Sequence, residues 1–132
     1  MSVGILLVTH NRIGRELLIT ARDTLGFCPV QTACLNVAMD NDPDTLRERA
    51  STLLQQLDTG EGVLILTDAY GSTPSNIATT LTTHRRFSVV AGVNLPMLLR
   101  VFNYPRLSLA ELEEKALTGG QDGVILVEKR EE

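Results

Sequence analysis

The sequence predicts an α/β fold: a single-domain three-layer sandwich built on a mainly parallel sheet. Two observations predict it. Short apolar runs rich in β-branched residues alternate with segments whose apolar residues recur every three or four positions. Turn and helix-start residues, as in "DNDPDT" and "AYGSTPSN", separate the two kinds. A length of 132 residues suits one compact domain, so residues 1–132 are read as one unit.

The elements follow in order. Val3 to Thr9 reads as a strand buried on both faces. Ile13, Leu17, Leu18, Ala21 and Leu25 form one face of a helix over residues 13 to 25, with Gly26 as its C-cap. Val30 to Val37 is a second strand. Asp42 is placed to cap a helix that starts at Pro43 and carries the stripe Leu46, Ala50, Leu53, Leu54, Leu57. "VLILT", Val63 to Thr67, is the clearest strand. Ser72 or Thr73 then caps a helix running to about His84. Phe87 to Val93 is a fourth strand, and Pro96 to Phe102 a short helix. Ser108 and Glu111 match a capping box for a last helix to about Thr118. "GGQDG" reads as a flexible break, and Val124 to Val127 as a final strand.

Composition narrows the classes. Net charge is -4, from 12 basic and 16 acidic residues, so no strong drive toward nucleic acid or anionic lipid is expected. No apolar run approaches a membrane span, and the N-terminus lacks the basic and apolar regions of a signal peptide; the cytoplasm is the expected location. Cys28 and Cys34 have neither C-x-x-C nor metal-knuckle spacing and read as reduced, partly buried thiols.

In open α/β sheets, ligands bind beyond the carboxyl ends of strands where the strand order reverses. In the order 2-1-3-4, strands one and three are neighbours, and His10 and Asp68 end them. A carboxylate that accepts from one imidazole nitrogen fixes the tautomer and aims the other nitrogen outward. That nitrogen is then a base, a metal ligand or a nucleophile. The "GST" turn, Gly71 to Thr73, adds hydroxyls and helix-start amides suited to an anion. A metal is disfavoured because no second histidine lies near. The G-x-S-x-G, P-loop and G-x-G-x-x-G motifs are absent. His84, beside Arg85 and Arg86, reads as a solvated helix end with no assigned function. Tyr70 reads equally as a cover for the site or as a partner contact.

"GILLVTHN", "GVLILTDAYGSTPSN" and "VVAGVNLPMLL" together resemble the mannose-type enzyme IIA of the bacterial phosphoenolpyruvate-dependent sugar phosphotransferase system, over essentially the whole chain. The resemblance implies a phosphotransferase-system component in which His10 takes a phosphoryl group from phospho-HPr and passes it to an enzyme IIB partner in sugar uptake. It places the orienting carboxylate on Asp68 and the phosphate-binding hydroxyl on Thr73. Ser72 and Gly71 are the further phosphate-binding residues of the turn, with Ser72 standing where a second glycine is usual. Asn11 stands where the family often has glycine, and Tyr70 where tryptophan is common. These parts call for neither metal nor other cofactor. The resemblance further implies a homodimer in which the last strand, antiparallel at the sheet edge, is exchanged between subunits, with "GGQDG" as a hinge.

Two alternatives remain open at this stage. One keeps the chemistry but not the transport: a free-standing regulatory phosphotransfer protein reporting carbon or nitrogen supply, or the phosphotransfer subunit of a dihydroxyacetone kinase. The other is a receiver-type signalling domain phosphorylated on Asp68, which would need an acidic, magnesium-holding cluster near the end of the first strand. This chain has Thr9, His10 and Asn11 there.

Overall fold

The structure, a computed structural model, describes residues 2–27, 31–82 and 86–129. Four strands, β1 (Gly4–His10), β2 (Thr32–Val37), β3 (Val63–Thr67) and β4 (Phe87–Ala91), form one sheet in the order β2-β1-β3-β4. Every pairing is parallel. Five helices follow the strands: α1 (Ile13–Leu25), α2 (Pro43–Leu57), α3 (Thr73–Thr80), α4 (Leu95–Phe102) and α5 (Leu109–Asp122).

Two apolar clusters sandwich the sheet. Ile5, Leu7, Leu64 and Leu66 meet α1, α4 and α5 through Ala21, Leu98, Phe102 and Leu112. Leu6, Val8, Val63 and Ile65 meet α2 and α3 through Leu46, Leu54 and Ile77. Both faces of β1 and β3 are thus dry, which is why their sequences are continuous apolar runs rather than alternating ones.

Apart from the final strand, the expected elements are present, with differences at their ends. Strand β2 is described from Thr32, and Val30 lies outside the described residues, as do Cys28 and His84. Helix α3 stops at Thr80, short of the expected His84. Its threonines explain the stop. Thr79 and Thr80 donate their hydroxyls back to the carbonyls of Ser75 and Ile77, and Thr82 donates to Thr79. Such bonds, with β-branched crowding, weaken a helix. Strand β4 ends at Ala91, not Val93, because the amides of Gly92 and Val93 both turn to the carbonyl of Thr67.

"GGQDG" is not a flexible break: α5 runs through it to Asp122. The glycines lie against α4. A Cβ on Gly119 would sit 2.6 Å from Cβ of Arg100, and one on Gly123 2.4 Å from Cβ of Pro96. They are there to let two backbones approach, and the packing outweighs glycine's poor helix propensity. After α5 the expected last strand has no ladder partner among the described residues. Val124, Ile125, Leu126 and Val127 are exposed, Leu126 by 90%. No helix among the described residues is long and apolar enough to cross a membrane.

Candidate active site

Register brings His10 and Asp68 together. Val8 pairs with Thr67 across β1 and β3, so both strands deliver their last residues to the same edge of the sheet. Oδ2 of Asp68 accepts the backbone N–H of His10 at 3.1 Å and stands 2.8 Å from its Nδ1. The carboxylate therefore grips the backbone and the ring of one residue. The Asp68 side chain is 11% exposed and that of His10 43%. With Nδ1 turned to the carboxylate, Nε2 is the nitrogen left free to react.

Thr9 holds the next turn in place, a role the sequence did not signal. Its buried Oγ1 accepts the N–H of Gly14 at 2.7 Å and so ties the first turn of α1 to the end of β1. Asn11 makes the bend between them. Its φ is +48°, the one positive φ of a non-glycine residue among the described residues. Its backbone N–H reaches the Val37 carbonyl at 2.8 Å, continuing the β1–β2 ladder by one bond.

The turn after Asp68 is built by Gly71, with φ +80°, and by Ser72, the N-cap of α3. The Ser72 hydroxyl donates to the Ala69 carbonyl at 2.6 Å and accepts the Ser75 N–H at a long 3.5 Å. Thr73 is the first residue of α3 and is exposed. Pro74 follows and carries no N–H. Three exposed apolar side chains lie around this edge, one after each of the first three strands: Ile13, Met39 and Tyr70. Among the described residues no three of His, Cys, Asp and Glu converge as a metal site would require.

The comparisons with known proteins identify the family. The EIIA-man family model, described as the fructose IIA component of the phosphotransferase system, matches residues 4–117. The chain belongs to the mannose-type enzyme IIA family. It is 32% identical over 127 residues to the mannose-specific EIIAB component of Escherichia coli, covering 94% of this chain but only 39% of that protein. Among solved structures, the mannose/sorbose specific IIA subunit from Enterococcus faecalis superposes with a TM-score of 0.87 at 24% identity, covering 99% of this chain and 98% of that one. The EIIA component from Streptococcus agalactiae superposes with a TM-score of 0.79 at 22% identity, covering 93% and 95%. At these identities the superpositions speak for the fold alone.

Within this enzyme IIA chain, the departures from the family pattern have local explanations. Asn is one of the few residues besides Gly that tolerate a left-handed backbone, and it occupies the left-handed position 11. Ser72 has an extended backbone, where no glycine is needed, and its hydroxyl caps the helix.

Proposed function

We propose that this chain is a phosphohistidine carrier: His10 accepts a phosphoryl group from phospho-HPr and passes it to an enzyme IIB partner. The observation that carries this reading is the pairing of His10 Nδ1 with the sheltered Asp68 carboxylate. It leaves Nε2 as the nucleophile. Nε2 attacks phosphorus in line with the donor's P–N bond. That bond breaks, its electron pair stays on the donor imidazole, and a new P–N bond forms at His10. The His10 ring gains positive charge in the step, and Asp68 is placed to stabilise it. Donor and product are both phosphoimidazoles, so the transfer is close to balanced and reversible.

Thr73 is the hydroxyl we assign to the transferring phosphoryl oxygens. It opens α3, where the first-turn amides face outward and the helix dipole favours an anion. Ser72 supports it as the cap, since its proton is already given to Ala69. Gly71 supplies the turn that brings the helix start to the edge of the sheet. Ile13, Met39 and Tyr70 offer apolar contact to the protein donors and acceptors that a carrier meets in turn.

The same reading makes residues 1–132 one domain, cytoplasmic and homodimeric. The exposed apolar tail and the position of β4 at the end of the sheet support an exchange in which each tail extends its partner's sheet.

The test is labelling with phosphoenolpyruvate, enzyme I and HPr, followed by mass-spectrometric mapping. Acid-labile, alkali-stable phosphate on His10 is expected. Alkali-labile phosphate on Asp68 would replace this reading with a receiver-type one.

A further inference from the structure

We propose that Asn11 is a second positioning residue for the phosphoryl group, donating from its carboxamide to the group carried on His10. This rests on the reading that His10 is the phosphorylated residue.

Three observations lead there. The backbone at position 11 is left-handed, with φ +48°. Strand pairing persists through His10, and α1 begins at Ile13, so the chain must turn within two residues. Glycine meets that demand without steric cost, and asparagine is among the few other residues that tolerate it. An asparagine there keeps the turn and adds a carboxamide that the backbone does not require.

The usual local use is capping a helix start. Here that use is taken. The amide of Gly14 is bound by Thr9 Oγ1, and α1 has no cap from its own N-cap residue, Arg12. The Asn11 side chain is exposed and makes no hydrogen bond among the described residues. It is an uncommitted donor on the residue next to a half-exposed histidine.

The chemistry fits the position. A phosphoryl group on Nε2 presents three oxygens that accept strong hydrogen bonds. The Thr73 turn supplies donors from the β3 side of the site. Asn11 is an exposed, uncharged side-chain donor on the residue that follows His10. A neutral amide can hold the phosphoryl group without trapping it, as suits a group that must leave again.

Two variants separate backbone from side chain. N11G keeps the left-handed turn and removes the donor. N11D keeps the size and the tolerance for that backbone but replaces the donor with a charge. Both are labelled with phospho-HPr at pH 8, and two quantities are read: the rate of phosphoryl acceptance and the lifetime of the purified phosphoprotein. Thermal unfolding is followed alongside.

We expect N11G to melt at or above the wild-type temperature yet to accept phosphate about fivefold to tenfold more slowly, with a shortened phosphohistidine lifetime. N11D is expected to be slower still, through repulsion of the incoming anion. If N11G, or N11D, matches the wild type within twofold in both quantities, the donor role is overturned and position 11 is a backbone feature only. If either variant fails to fold, the decision passes to the other. If wild-type protein carries no label on His10, the underlying reading fails, which the wild-type control shows separately.

Discussion

Oδ2 of Asp68 holds both the backbone N–H and the Nδ1 of His10, a residue 58 positions away in the chain. One carboxylate thus sets where the histidine sits and which way its ring faces. Replacing Asp68 by Asn preserves the shape and removes the charge that balances the ring during transfer. Phosphoryl acceptance by Asp68→Asn is expected to slow by about 10²-fold, a loss typical of removed electrostatic groups. His10→Ala should not be labelled at all. Rapid-quench labelling measures the first, and full labelling of the His10 variant would end the proposal.

The close contact of α4 with α5 predicts a cost for the smallest side chain. Gly119→Ala and Gly123→Ala would each place a methyl group against the side chain of Arg100 or Pro96. Each is expected to destabilise the fold by about 1–3 kcal/mol, as overpacking does. Urea unfolding at constant m-value measures this. A flexible linker at these positions would instead gain stability from alanine.

Helix α5 also depends on its start. Ser108 accepts the N–H of Glu111, and the Glu111 carboxylate accepts the N–H of Ser108 in return. Ser108→Ala should cost about 1 kcal/mol. Hydrogen bonds from the Ser108 backbone, and then from its hydroxyl, hold the Glu111 carboxyl below its usual range. A depressed carboxyl contributes stability above its unfolded pKa and loses that contribution as pH falls through the folded one. The Ser108→Ala deficit should therefore shrink in acid, as followed by thermal melts.

Cys34 makes an alkaline counterpart. Burial pushes its thiol up to about 11, against a smaller downward pull from Arg15. The folded state keeps its proton where the unfolded chain has lost it, so stability falls as pH rises from about 9 toward 11. In a Cys28→Ser background, iodoacetamide should label Cys34 far more slowly at pH 8 than it labels the urea-unfolded chain. Equal rates would show an ordinary exposed thiol.

The tail offers a test of assembly. Ile125 and Val127 are 72% and 85% exposed in the single chain, a costly arrangement for apolar side chains unless another surface covers them. Under the proposed exchange, Ile125→Asp with Val127→Asp should convert a dimer to a monomer in sedimentation equilibrium. A dimer that survives the double substitution would place the interface elsewhere.

The sequence by itself determined the local states and, through them, the edge of the sheet that matters. Apolar runs and helical stripes are short-range patterns, so the helix from Ile13 to Leu25 and the strand from Val63 to Thr67 were legible to the residue. Alternation of strand and helix made the sheet parallel, and a parallel sheet puts the ends of its strands on one edge. His10 and Asp68 could therefore be paired before any coordinate was known. Tertiary structure alone decided what depends on neighbours far along the chain. Residues 119–122 are helical because α5 packs closely on α4, where a Cβ on Gly119 would sit 2.6 Å from Cβ of Arg100. Asn11 is left-handed because a strand pinned to β2 must enter a helix pinned by Thr9. The residues from Val124 to Val127 have the composition of a strand but no partner among the described residues, and a strand is defined by its partner.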